Sequence, residues 1–135
     1  MPITYEWDNP EQTILLETFE GRWTLEEYHT LVDAAADMLN SVEGYVHVIA
    51  DFSQSRSSPK NIMSGARYAE KRLPRNQGVV VFVQPNVIFQ AFIRVAQQLN
   101  FRAARHLLLA DDLDEARQMI AEHAPLLPAL ELSGD

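Results

Sequence analysis

Tyr45-Val46-His47-Val48-Ile49-Ala50-Asp51, followed directly by Phe52-Ser53-Gln54-Ser55-Arg56-Ser57-Ser58-Pro59, joins two kinds of chain in one short stretch. The first part is apolar with β-branched residues, the composition of a buried strand. The second holds four serines and an arginine, the composition of a loop. Ser58-Pro59 reads as a helix N-cap followed by proline at the first helical position, where its missing N–H is no loss. The reading is therefore a strand ending at Asp51, a loop over Phe52 to Ser58, and a helix from about Pro59. In an open, mostly parallel α/β sheet, ligands and partners meet the loops at the carboxyl ends of the strands. Asp51, Ser53, Ser55, Arg56, Ser57 and Ser58 are thus the first candidates for a partner-binding or switch loop.

Upstream, Ile3-Thr4-Tyr5-Glu6-Trp7 alternates apolar and polar as a half-exposed edge strand does, and Asp8-Asn9-Pro10 supplies a turn. Thr13 to Phe19 returns as the second arm of a hairpin that Gly21 ends. Thr24-Leu25-Glu26-Glu27 has the capping-box spacing, in which Thr24 and Glu27 each satisfy a free backbone N–H. Leu25, Tyr28, Leu31, Val32, Ala35, Met38 and Leu39 then form one helical stripe, and Gly44 sits where the chain must turn into the next strand.

Downstream, Ile62, Ala66, Ala69 and Leu73 share a helix face, with Lys60, Arg67, Lys71 and Arg72 elsewhere on that surface and Pro74 at its end. Val79 to Val83 is an unbroken β-branched and aromatic run, expected to be covered on both faces. Gln84-Pro85-Asn86 opens a helix to about Asn100. His106 to Ala110 makes a last buried strand, and Asp112-Leu113-Asp114-Glu115 is a second capping box. The order ββαβαβαβα predicts a single α/β domain, an N-terminal β-hairpin leading into a mainly parallel sheet of about five strands with about four helices. Residues 1–123 are expected to form it, with 124–135 as a C-terminal tail.

A chain of 135 residues, 47% of them hydrophobic, has the size and composition of one globular domain. It has no cysteine. Its N-terminus lacks an export-type pattern, and no apolar run is long enough to span a bilayer, so the expectation is a soluble cytoplasmic protein without a transmembrane segment. The net charge of −8 is uneven. Residues 1–55 carry Arg22 against eleven carboxylates, 56–105 carry nine Lys or Arg against Glu70 alone, and 106–135 carry Arg117 against seven carboxylates. The basic middle either pairs with the acidic flanks or presents Lys60, Arg67, Lys71 and Arg72 as a basic face. Nucleic acid is not an expected partner, because an acidic domain repels phosphates everywhere outside one patch and no aromatic-interleaved basic motif is present.

From Ile3 to His123 the chain resembles the STAS superfamily, and within it the SpoIIAA-like (STAS/SEC14-like) bacterial domains. The opening hairpin carries the likeness, with Phe19-Glu20-Gly21-Arg22-Trp23-Thr24 leading into the first helix, the strand His47 to Ser53, and the closing Ala110-Asp111-Asp112-Leu113-Asp114-Glu115-Ala116-Arg117. The resemblance implies a small regulatory or binding domain. In its best-understood members a serine at the start of the helix after the third strand is phosphorylated to switch partners. Ser57 and Ser58 fall near that position, without the Asp-Ser pair expected there and with Pro59 following.

Other motifs have plain structural readings. Ser58 reads as a cap, with its neighbouring serines as loop solubilisers. Asp51, Asp111 and Asp112 lie at strand ends where carboxylates could hold a hard cation. The acidic pair and strand-end lysine of a phosphoacceptor receiver are missing, so Asp51 reads as a loop acceptor and Asp112 as a cap. His29, His47, His106 and His123 have no ligand spacing on one element, and no metal or cofactor is expected. No glycine-rich phosphate loop or nucleophile motif exists, so no catalytic residue is assigned and the chain is not expected to be an enzyme.

The helix Val87 to Leu99 has more apolar residues than one stripe needs. Ile88, Ala91, Phe92, Val95 and Leu99 are expected to face the sheet, leaving Phe89, Ile93 and Ala96 as a second stripe for another helix, a second copy of the chain or an apolar ligand. The leucines of the tail raise the same question of self-association, and a homodimer is one answer. Two functions follow. One is a non-catalytic interaction module that recognises an acidic protein partner through the loop after the third strand and the basic helix. The alternative is a carrier or sensor that holds a small apolar or anionic ligand between sheet and helices; an apolar pocket on the order of several hundred Å³ beside Phe89 and Phe92 would favour it, and a closed, fully packed interior with an exposed basic patch would favour the module.

Overall fold

A computed structural model describes residues 2–56 and 60–130. Strand β1 (Ile3–Trp7) and β2 (Ile14–Gly21) form the hairpin, and α1 (Leu25–Asn40) follows. The capping box at the start of α1 is present: Glu27 N donates to Thr24 Oγ1 at 3.1 Å and Thr24 N donates to Glu27 Oε1 at 2.9 Å. Next come β3 (Val46–Ser55), α2 (Ile62–Lys71), β4 (Gln77–Val83), α3 (Val87–Gln98), a short 3-10 turn at Arg102–Ala104, β5 (Leu107–Ala110) and α4 (Leu113–His123).

The five strands lie side by side in chain order, β1 antiparallel to β2 and every later pair parallel. This is the expected α/β domain, with a mixed sheet. Because the parallel strands add in one direction and crossovers are right-handed, α1, α2 and α3 must all lie on one face. That face carries the register rows Leu15–Val48–Val80–Leu107 and Tyr5–Glu17–Ala50–Phe82–Leu109. The opposite face, with Ile49, Val81, Val83 and Ala110, packs on Ala116 and Ile120 of α4.

Two boundaries and one burial differ from expectation. Strand β3 runs on to Ser55, because after a register shift Glu20 and Gly21 of β2 continue to pair with Gln54 and Ser55. Helix α2 is Ile62–Lys71 behind Asn61, whose left-handed backbone (φ 62°) is one that asparagine tolerates, so it starts later than the expected Pro59; the expected cap at Ser58-Pro59 lies outside the described residues. Strand β5 is an edge, and only Ala110 in it is fully buried, so it is half covered where a buried strand was expected. Beyond α4, Leu127 packs against the α4 side of the core and Tyr45 donates its hydroxyl hydrogen to Pro128 O, which folds the start of the tail back on the domain.

Candidate functional site

The carboxyl end of the sheet is the expected site, and its residues are largely spent on structure. Ser53 N donates to Asp51 Oδ1 at 2.9 Å, which makes Asp51 a local backbone acceptor. The Trp23 indole N–H donates to Ser55 Oγ at 2.8 Å. Ser53 and Ser55 therefore belong to β3, a correction to the loop assigned from Phe52 onward. Phe52 is buried in an aromatic cluster, 4.4 Å between centroids from Phe19 and 4.9 Å from Phe89. That burial holds the strand extended past the point where hydroxyl-rich composition reads as loop. Arg56 is exposed. Ser57 and Ser58 lie outside the described residues.

The basic face is divided. Lys60, Arg67 and Lys71 are exposed. Arg72 is not available in the same way: its Nε lies 3.0 Å from Asp33 Oδ1 of α1, and its guanidinium sits 3.4 Å above the Tyr68 ring. Pairing with the acidic N-terminal block thus takes Arg72, while Lys60, Arg67 and Lys71 are exposed. At the start of α4 Glu115 N donates to Asp112 Oδ1 at 2.8 Å, so Asp112 is a cap, but the Glu115 carboxylate accepts from Asp111 N and the expected reciprocal box does not close on Asp112.

Most of the two α3 stripes exchange roles, Phe92 alone of its stripe keeping the expected inward side. Phe89 is 6% exposed and Ala96 8%, with Ile93 partly buried, whereas Ile88, Val95 and Leu99 are 54%, 40% and 53% exposed. The stripe Phe89, Ile93, Ala96 is therefore no external dimer contact, and Ile88, Val95 and Leu99 do not face the sheet. Periodicity gives the spacing of such stripes and not their phase. The phase is set by the Asn86 side chain, which accepts from Phe89 N at 3.0 Å, and by the stack that the Phe89 ring completes with Trp23 and Phe52.

The inward stripe does not close on the sheet. Between it, α1, α2 and the sheet lies a cavity of about 190 Å³. Its floor comes from Val48 and Phe52 of β3 and Val80 and Phe82 of β4, and its walls from Leu25 and Tyr28 of α1, Ile62 and Ala66 of α2, and Phe89, Phe92 and Ile93 of α3. Gly65 permits the close approach of α2 to α1, since a Cβ there would lie 2.9 Å from Leu25 Cδ1 and 3.3 Å from the Tyr28 ring.

One carboxyl lines this apolar space. Glu17 takes the place between Leu15 and Phe19 on the covered face of β2, and burial pushes its carboxyl up to about 8. No hydrogen bond or ion pair among the described residues reaches it. Burial also raises the Tyr28 phenol, and the nearby Glu17 charge adds to that rise. Glu17 is not among the candidates read from the sequence, although the period of two in Leu15-Leu16-Glu17-Thr18-Phe19 already puts it on the side of Leu15 and Phe19. Among the described residues no group of three or more His, Asp or Glu is gathered to hold a metal ion. No helix there is long and apolar enough to cross a membrane.

No protein-family model matches the chain, and no curated protein matches it. Solved structures do. The anti-sigma factor antagonist SpoIIAA in its unphosphorylated form aligns over 89% of this chain and 97% of its own, at 10% identity and a TM-score of 0.54. The Bacillus cell fate determinant SpoIIAA in its phosphorylated form aligns over 87% and 98%, at 11% identity and a TM-score of 0.55. An uncharacterized protein of the DUF3478 family with a SpoIIAA-like fold, from Shewanella loihica PV-4, aligns over 87% and 90%, at 13% identity and a TM-score of 0.62. The chain has the SpoIIAA-like fold. At these identities the likeness is one of backbone, so the chemistry of this SpoIIAA-like domain has to be read from its own side chains.

Proposed function

We propose that this chain is a non-catalytic binding domain, a carrier or sensor that takes a small apolar molecule into the cavity between the sheet and α1, α2 and α3. The cavity itself carries this reading. Protein interiors pack to the density of organic crystals with few voids larger than a water molecule. The pocket here, about 190 Å³ and partly open to solvent, leaves its apolar lining short of such contacts. Apolar cavities of about 150 Å³ stay dry and take up benzene. A ligand of one ring with a short substituent recovers the lost contacts. Native mass spectrometry of freshly purified protein tests this together with thermal melting in saturating toluene. An adduct of small-molecule mass, or a rise in Tm with toluene, is expected; the bare chain mass with an unmoved Tm overturns the reading.

A second reading keeps the interaction module, because the outer face of α3 shows Val87, Ile88, Val95 and Leu99 to solvent. Helices α2 and α3 both begin at the carboxyl end of the sheet, which puts Val87 and Ile88 at the same end as Arg56 and Lys60. That pairing of apolar anchors with cations suits an acidic protein segment. A protein captured by the wild type and lost both to Ile88→Asp and to Lys60→Glu supports it. Capture unaffected by either change removes it.

A further inference from the structure

We propose that the cavity selects a small organic amine, an aromatic or compact alkyl body carrying one ammonium group, and that Glu17 is the residue that binds the ammonium. This rests on the reading of the cavity as a ligand site and names the ligand's chemistry.

The argument starts from placement. A carboxyl on the helix-covered face of a sheet is costly unless something pairs with it. Here Glu17, partly buried, lines a mostly apolar cavity that Arg72 and Gln77 also border, and it has no hydrogen-bond or ion-pair partner among the described residues. The titratable or charged groups that face it are few. Tyr28 comes from α1. Arg72, at the end of α2, is held by Asp33 and by the Tyr68 ring, so its charge is already compensated. Tyr5 of β1 stands opposite Glu17 in register and is largely exposed. The lining residues of β3, β4, β5 and α3 bring no charge. A cation arriving in this space therefore meets one carboxyl, with Trp23, Tyr28, Phe52 and Phe89 among the surrounding residues. Aromatic faces attract a desolvated ammonium.

The protonation of Glu17 sets the signature of binding. With its carboxyl raised to about 8 by burial, Glu17 is mostly protonated in the free protein at pH 7. An ammonium ligand pairs with the carboxylate, so Glu17 gives its proton to solvent as the ion pair forms. About one proton is released per ligand bound at pH 7. For the same reason the apparent affinity climbs by up to about tenfold per pH unit below pH 7.5 and levels off above pH 8. A neutral molecule of the same shape shows neither effect.

Calorimetry with 2-phenylethylamine and with neutral ethylbenzene, at pH 7 in two buffers of different ionisation enthalpy, separates the outcomes. The wild type is expected to bind the amine with proton release. Glu17→Gln is expected to lose at least tenfold in amine affinity together with the proton release. Should Glu17→Gln fold poorly, the wild-type pH profile alone carries the test. If ethylbenzene binds the wild type but the amine binds without proton release and without the pH dependence, Glu17 is not the ammonium site and the inference falls, while the cavity reading stands. If neither probe binds the wild type, both fall.

Discussion

The indole of Trp23 stacks on the ring of Phe89, with centroids 5.9 Å apart and planes 10° from parallel. The contact ties the turn between β2 and α1 to the first turn of α3, and Phe19 and Phe52 extend the cluster over the end of the sheet. Trp23→Ala removes a buried ring and should destabilise the domain by about 3 to 5 kcal/mol in urea unfolding. A double-mutant cycle with Phe89→Ala should give a coupling of about 1 kcal/mol, the size measured for direct aromatic pairs. Additive losses would show that the two rings act independently.

Phe89 and Ile88 are neighbours in sequence with opposite surroundings. Phe89→Asp places a charge among buried rings and should cost more than about 4 kcal/mol, enough to unfold a domain of this size. Ile88→Asp sits on the exposed row and should change stability by no more than about 0.5 kcal/mol. Circular dichroism with thermal melting checks both. A folded Phe89→Asp protein beside an unfolded Ile88→Asp protein would reverse the orientation of α3.

That orientation also marks where sequence stops being legible. Strand and helix order follow from period and capping signals, because the pairings of Thr24 with Glu27, of Asn86 with the Phe89 backbone, and of Asp112 with Glu115 are all local. The facing of α3 depends on which of two adjacent apolar stripes finds the better surface, and that surface is built by Trp23 and Phe52 from distant parts of the chain. The same is true of β3. Its extension through Ser55 rests on pairing with β2 and on the Trp23 indole, neither of which is visible in a local run of serines. Glu17 is legible by its period of two, but its chemistry arises only when three helices cover its face.

Glu17 also makes stability depend on pH. Its carboxyl is raised from 4.5 to about 8 in the folded state, so the folded protein binds the extra proton between those values. Its contribution is fully present below the unfolded value and is lost as pH rises through 8. His47 acts in the opposite sense: burial lowers it, with Val79 N donating to its Nδ1 at 3.0 Å, and its contribution is lost as pH falls below about 6.5. The Glu17 slope is therefore read cleanly between pH 7 and 8.5. There the wild type should lose stability, and Glu17→Gln should flatten the slope and be more stable at pH 8.5 by about 2 to 4 kcal/mol. Urea unfolding across the pH series measures it, and parallel curves for the two proteins would contradict the burial of this carboxyl.

Gly65 holds α1 and α2 together over the cavity. Gly65→Val puts a branched side chain against Leu25 and Tyr28, and should destabilise the domain by about 1 to 3 kcal/mol. Gly65→Ala meets the end of the Leu25 side chain at 2.9 Å and the Tyr28 ring at 3.3 Å but gains helix propensity of about 1 kcal/mol, so it should cost clearly less than Gly65→Val. Chemical unfolding of the two variants separates these outcomes, and equal stability of both would mean that the helices are not in close contact at this point.

The most direct test of the binding account is an NMR titration of methyl-labelled protein with toluene, read as intermolecular NOEs. The account predicts contacts from toluene to the methyls of Val48, Ile62, Val80 and Ile93, which line the cavity, and none to Ile49 and Val81 on the opposite face or to Ile88 on the outer side of α3. NOEs confined to Ile88 and its exposed neighbours, or none at saturating toluene, would contradict it.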